Sequence, residues 1–184
     1  MRKFITIVAA LGFLSTPALA KAAQAAASTP AKPAKAMLKD GILIPAGSPL
    51  RLVSVTRGPE VNATFNGQVE ISGTYEIQLY GEEVFATLWP DAKSRQALPS
   101  WDGRGDVDEI FIANSMEFTK AVVSSEELAK LKTGRLPLIR GQATIIADQY
   151  ETGIECDATH FSARFVSVVK NVEVAGEIGS GGEC

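Results

Sequence analysis

Among 184 residues there is a single histidine, His160, and two cysteines, Cys156 and Cys184. That inventory bounds the catalytic options. A serine triad would have to take its base from His160, and no Gly-x-Ser-x-Gly elbow is present to hold a serine for it. One imidazole cannot build a multi-histidine zinc site. Neither a His-Glu-x-x-His helix, a Walker loop nor a dinucleotide glycine fingerprint occurs. As the first residue of an expected strand, His160 reads as a rim or hydrogen-bonded structural residue before it reads as a base. A small periplasmic hydrolase using His160 and a nearby acid is the catalytic alternative.

Carboxylates offer two further chemistries. Trp101 to Glu109 (WDGRGDVDE) carries Asp102, Asp106, Asp108 and Glu109, oxygen ligands of the kind a hard cation takes. Their spacing does not follow the one-three-five pattern of a calcium loop, so a solvated glycine-rich loop is the expectation, with no metal and no cofactor. The Arg-Gly-Asp triplet at 104–106 is read as chance. A glycosidase needs two facing acids, yet Glu70 and Glu76 fall on the polar side of an alternating segment, where solvent accounts for them.

Aromatic rings beside cations remain. Rings stack on sugars or bases and cations grip anionic groups. A long loop over 90–106 is expected to gather Trp89, Trp101, Lys93, Arg95 and Arg104 at one rim. Trp101, set among turn residues, is expected to be exposed, whereas Trp89 is read as a strand end that caps the core. Ser162 and Arg164 on the last strand would face a partner or water. The candidate binding set is therefore Trp89, Trp101, Arg104, His160 and Arg164, with recognition favoured over catalysis.

The elements that must position these residues are mostly strands. Residues 68–79 (QVEISGTYEIQL) alternate without a break: Val69, Ile71, Tyr75, Ile77 and Leu79 share one side, polar residues the other, and Gly73 sits mid-strand. Period-two alternation of this length predicts a half-buried strand able to bend at its glycine. Glu83–Trp89, Val107–Ala113, Leu136–Ala147 and Phe161–Val169 complete five strands. Ser124 followed by Glu127 fits a capping box and starts a helix that Gly134 ends. Gly41–Val55 is expected to add a hairpin or a covering strand around its Pro-Ala-Gly-Ser turn. No internal repeat is visible.

Three strands, a helix and two strands, the first strand long and glycine-bent, resemble the oligonucleotide/oligosaccharide-binding fold: a five-stranded Greek-key barrel with its helix between strands 3 and 4. The resemblance spans residues 67–170 and is architectural, without a sequence motif. It implies a mainly β domain with ligands lying across strands two and three, framed by the loops after strands one and four.

The ends of the chain point to export. Arg2 and Lys3 precede the apolar run Phe4–Leu14, Pro17 follows, and Ala18-Leu19-Ala20 supplies a signal-peptidase site. Eleven apolar residues cover only about 16 Å as a helix, half a bilayer core, so cleavage rather than anchoring is expected. The expected organisation is a signal peptide over 1–20, an Ala/Pro/Lys-rich linker over 21–36, one barrel-like domain over 37–175 and a glycine-rich tail over 176–184. The pattern reads as bacterial, periplasmic or secreted, with no membrane span after cleavage. A net charge of −3, made more negative when Arg2 and Lys3 leave, disfavours nucleic acid. The expected partner is an envelope protein or a glycan, and a structural envelope protein is a further alternative. In an oxidising compartment Cys156 and Cys184 are expected to pair, closing a loop of about 28 residues worth about 3 kcal/mol, the alternative being an intermolecular bridge through Cys184.

Overall fold

The computed structural model describes residues 35–173. The expected signal peptide, the linker up to residue 34, the C-terminal tail and Cys184 lie outside them. The described strands are β1 (Met37–Lys39), β2 (Ile42–Ile44), β3 (Arg51–Thr56), β4 (Val61–Asn66), β5 (Val69–Tyr80), β6 (Glu83–Pro90), β7 (Ser100–Trp101), β8 (Ile110–Ile112), β9 (Leu138–Glu155) and β10 (Ala158–Glu173). The helices are α1 (Ala92–Arg95), α2 (Ser115–Val122) and α3 (Ser125–Lys132).

The alternation that predicts β5 is realised in its burial: Val69, Ile71, Tyr75 and Ile77 are buried, while Glu70, Thr74 and Gln78 are exposed. β5 pairs with β6 through the Gly81 turn and with β9 on its other edge. The ring continues β6–β8–β10 and closes where β10 pairs with β9, giving a closed five-strand barrel in a mainly β molecule. Four of the five pairings around the ring are antiparallel; β8 and β10 run parallel. Gly73 marks a close backbone approach, because a Cβ there would strike the carbonyl of Trp89 on the neighbouring strand.

β9 is long enough to serve two neighbours on one edge. Its first part pairs with β5 and its last part, Glu151–Ile154, pairs with β4. β4 and β5 therefore act as one strand interrupted at Gly67–Gln68, and β3 adds outside β4 at the edge of the sheet. A second small sheet, β1–β2–β7, covers this end.

Inward residues of every barrel strand form one continuous core. Fully burying a side chain of the Ile, Leu or Phe class is worth about 1.5–3 kcal/mol, so the interior set is the main source of stability. At one end α2 closes the barrel: Phe118 meets Tyr75 edge-on at 5.4 Å between centroids and Phe165 at 5.4 Å. At the other, Phe65 and Tyr150 pack at 5.7 Å, and the Tyr150 hydroxyl donates to the Pro99 carbonyl at 2.8 Å. α3 starts with the expected capping box, Ser124 Oγ accepting from the Glu127 N–H, and buries Leu131.

Several expectations are corrected. The strand foreseen over 107–113 pairs only over Ile110–Ile112, because Val107 is buried before the ladder begins. The fourth and fifth strands are longer than expected, at 18 and 16 residues. Gly41–Val55 is not one hairpin: β1 and β2 turn at Asp40–Gly41, and the Pro45–Ser48 turn separates β2 from β3, which belong to different sheets. Where one helix was expected there are three among the described residues, α1 and α2 being additional.

Candidate functional site

The outer face of the barrel is laid out by register. On β6 the inward series Val84, Ala86 and Leu88 leaves Glu83, Phe85, Thr87 and Trp89 pointing outward. Gln78 stands opposite Phe85, Glu76 opposite Thr87 and Thr74 opposite Trp89 on β5. Phe111 stands opposite Thr87 on β8, with Ser162 of β10 beyond it. Three aromatic rings on this face remain in solvent: Tyr80 is 81% exposed, Phe111 45% and Phe85 39%. Tyr80 and Phe85 meet edge-on at 6.1 Å. With Gln78 and Thr87 these rings line an apolar hollow of about 300 Å³.

A larger groove of about 630 Å³ shares Phe85 and Phe111 and continues between the start of β6 and the start of α2. Its walls are Val84, Ile112 and Met116, and its border carries Glu82, Glu83 and Glu117. Farther along the same face, Trp89 with Thr74, Glu76 and Arg140 lines a third depression of about 260 Å³. There Arg140 Nε donates to Glu76 Oε2 at 2.7 Å across the β5–β9 ladder. Rigid strands thus present four rings in a band, a surface for stacking and apolar contact.

The residues singled out from sequence separate on the structure. Trp89 is half-buried and belongs to this face. Trp101 does not: its expected exposure is corrected to 6%, because β7 pairs it with Ile42 and the indole packs over Gly41. Its Nε1 finds no hydrogen-bond partner among the described residues. Arg104 reaches the β9–β10 turn, donating to the Asp157 carbonyl at 3.2 Å. Arg95 is bonded to the Pro90 carbonyl and to Asp108. Trp101 therefore leaves the expected rim of Trp89, Trp101, Lys93, Arg95 and Arg104, while Trp89 shares a depression of about 220 Å³ with Asp106 and Asp108, the acid that Arg95 holds.

His160 lies on β10 across from Gly153, which is itself across from Asn62. Its Nε2 is 3.2 Å from Asn62 Oδ1. A Cβ on Gly153 would collide with both side chains, so the glycine is what lets them meet. The imidazole's hydrogen-bond partner is thus an amide, not an acid or a serine. Arg164 is engaged by Asp148 in a two-pronged pair, Nε to Oδ1 at 2.9 Å and Nη2 to Oδ2 at 2.8 Å. Asp148 holds the guanidinium pKa above its ordinary value, first through this hydrogen bond and then by charge. Cys156 is exposed in the two-residue turn Cys156–Asp157, where both residues take positive φ, 48° and 68°.

Two other groups have shifted acidity. The Asp91 carboxylate is lowered, chiefly because it accepts the Ser94 N–H as the cap of α1. Burial pushes the Tyr150 phenol well above its ordinary value. Among the described residues no group of three or more His, Cys, Asp or Glu is placed to hold a metal ion.

Tyr80, Phe85 and Phe111 escaped the sequence reading. Phe85 was detectable in principle: between Val84 and Ala86 in an alternating strand, a ring must point out. Comparison with known protein families, with curated proteins and with solved structures returns no match.

Proposed function

We propose that the chain is an exported, non-enzymatic binding module of the bacterial envelope, periplasmic or secreted, that recognises its partner through the outer face of β5, β6 and β8. The observation that carries this reading is the exposure of Tyr80, Phe85 and Phe111 together on adjacent strands. Exposed rings clustered around a hollow mark interaction surfaces, because leaving such area in water is unfavourable. Glu82, Glu83 and Glu117 beside the rings argue against a phosphate backbone and for a neutral or cationic partner, an envelope protein or a glycan.

The finer architecture in this proposal is an OB-like Greek-key barrel. The ring order β5–β6–β8–β10–β9, the parallel β8–β10 contact and the presence of α2 and α3 in the connection from β8 to β9 support it. In that scheme β6 and β8 correspond to the second and third strands, across which ligands of such barrels lie. Export rests on the Arg2–Ala20 pattern and is checked by N-terminal sequencing of the periplasmic fraction, where a chain beginning at Lys21 is expected. Peptide mapping without reductant checks the Cys156–Cys184 bridge.

The decisive experiment compares the mature protein with Phe85→Ala/Phe111→Ala by NMR titration against soluble peptidoglycan fragments, chitin oligosaccharides and basic peptides. The expected result is resonance shifts centred on Gln78, Phe85, Thr87 and Phe111 with one ligand class. The double substitution, with folding intact, should weaken binding at least about tenfold, equivalent to 1.4 kcal/mol. Binding that persists undiminished in the double variant overturns the assignment of this face.

A further inference from the structure

Resting on the recognition face just proposed, the adjoining groove specifies what occupies it. The β6–β8 ladder ends at Thr87–Phe111. The next N–H on that edge, from Ala86, is taken by the Ser115 hydroxyl at 3.0 Å, while Ser115 itself donates to the Ile112 carbonyl at 2.6 Å. In an antiparallel strand, residues two apart turn their N–H and C=O to the same side. Val84 therefore directs both backbone groups into the groove, beyond the point where β8 has left the sheet for α2. Among the described residues this leaves a short unpaired edge along the groove that Val84 lines.

The lining supplies the chemistry. Val84, Phe85, Phe111 and Met116 give apolar walls, and the carboxylates of Glu82, Glu83 and Glu117 stand around them with no lysine or arginine in the lining. An extended peptide pairs its backbone with such an edge and places alternate side chains in flanking pockets. Three acids with no counter-cation favour a positive group among them, which ring faces also attract.

We propose that the groove takes an extended, lysine- or arginine-bearing segment of a partner protein, which adds as a strand to the Val84 edge of β6 and sets its cation among Glu82, Glu83 and Glu117. A glycan could use the rings, but any amides it carries hang from its sugar rings instead of repeating along a main chain at strand spacing, and a chitin chain lacks the positive charge that this groove complements.

The probe is a capped heptapeptide alternating valine and lysine, titrated into the mature protein while the Val84 amide is followed by NMR. Two controls accompany it: the same peptide with glutamate for lysine, and the lysine peptide N-methylated at alternate amides. The expected result is a Val84 shift with the lysine peptide and at least about tenfold weaker binding of both controls, since each lacks one recognition element. Glu83→Gln/Glu117→Gln should weaken the lysine peptide several-fold; if that variant does not fold, Glu82→Gln/Glu83→Gln replaces it. Equal binding of the N-methylated peptide overturns strand addition, and equal binding of the glutamate peptide overturns the cation preference. If a chitin tetrasaccharide shifts Phe85 and Phe111 while no peptide moves Val84, the recognition face stands and this inference falls. Silence from every probe at both places removes both.

Discussion

Tyr150 has no solvent exposure, and its phenol is held in neutral form by desolvation. Its folded-state pKa lies above the unfolded one, so its contribution is complete below about pH 10 and fades as pH rises past the unfolded value. Chemical denaturation at stepped alkaline pH should show stability falling, and Tyr150→Phe should flatten that fall. At neutral pH the same substitution removes the bond to the Pro99 carbonyl and should cost about 1 kcal/mol. Asp91 behaves in the opposite sense: its folded pKa is depressed, so its contribution is present above the ordinary value of 3.8 and is lost as pH falls through the folded one. Gly153→Ala should cost about 1 kcal/mol, because the new methyl pushes apart the ends of the Asn62 and His160 side chains and breaks their contact. If Gly153→Ala melts like wild type, the Asn62–His160 contact is not a fixed feature.

At the scale of elements, stability is divided between helices whose signals are local and helices whose signals are not. α3 announces itself through Ser124 and Glu127, and Ser124→Ala should cost about 1 kcal/mol by urea titration. α2 was invisible in the sequence for a physical reason. Its N-cap residue, Asn114, makes no side-chain bond to the helix but spends its amide on the Phe165 backbone, 51 positions away. Trp101 was misread for the same kind of reason: its neighbours are turn formers, yet its burial is decided by Ile42 and Gly41 far upstream. β5, by contrast, was fully legible, since alternation depends only on which side faces oil. The proposed recognition face was half legible: Trp89 was named from sequence, while Phe85 and Phe111 were hidden among residues read as ordinary strand.

For the molecule as a whole, closure depends on its narrowest junction. β8 has three residues and meets each neighbour over two register pairs, Ser162–Phe111 and Ala163–Ile112 with β10, Thr87–Phe111 and Leu88–Ile110 with β6. The facing junction of β9 with β5 runs over ten pairs, from Val69–Ala147 to Gln78–Leu138. Local opening follows the weakest contact density, so amide exchange should be fastest along the seam. Ala113, whose N–H bonds the Ala163 carbonyl, should exchange well before Ile71 or Ile145. Uniform protection around the ring would contradict this. The seam also borders the groove, so a bound segment should slow exchange at Ala113 in proportion to occupancy.

The two tryptophans occupy opposite circumstances, one enclosed beneath the small sheet and one half-open on the ring-bearing face. The molecule consequently carries two built-in optical probes. Trp101→Phe leaves an emission that reads the half-open outer face at Trp89 alone, and Trp89→Phe leaves one that reads the enclosed indole and hence unfolding.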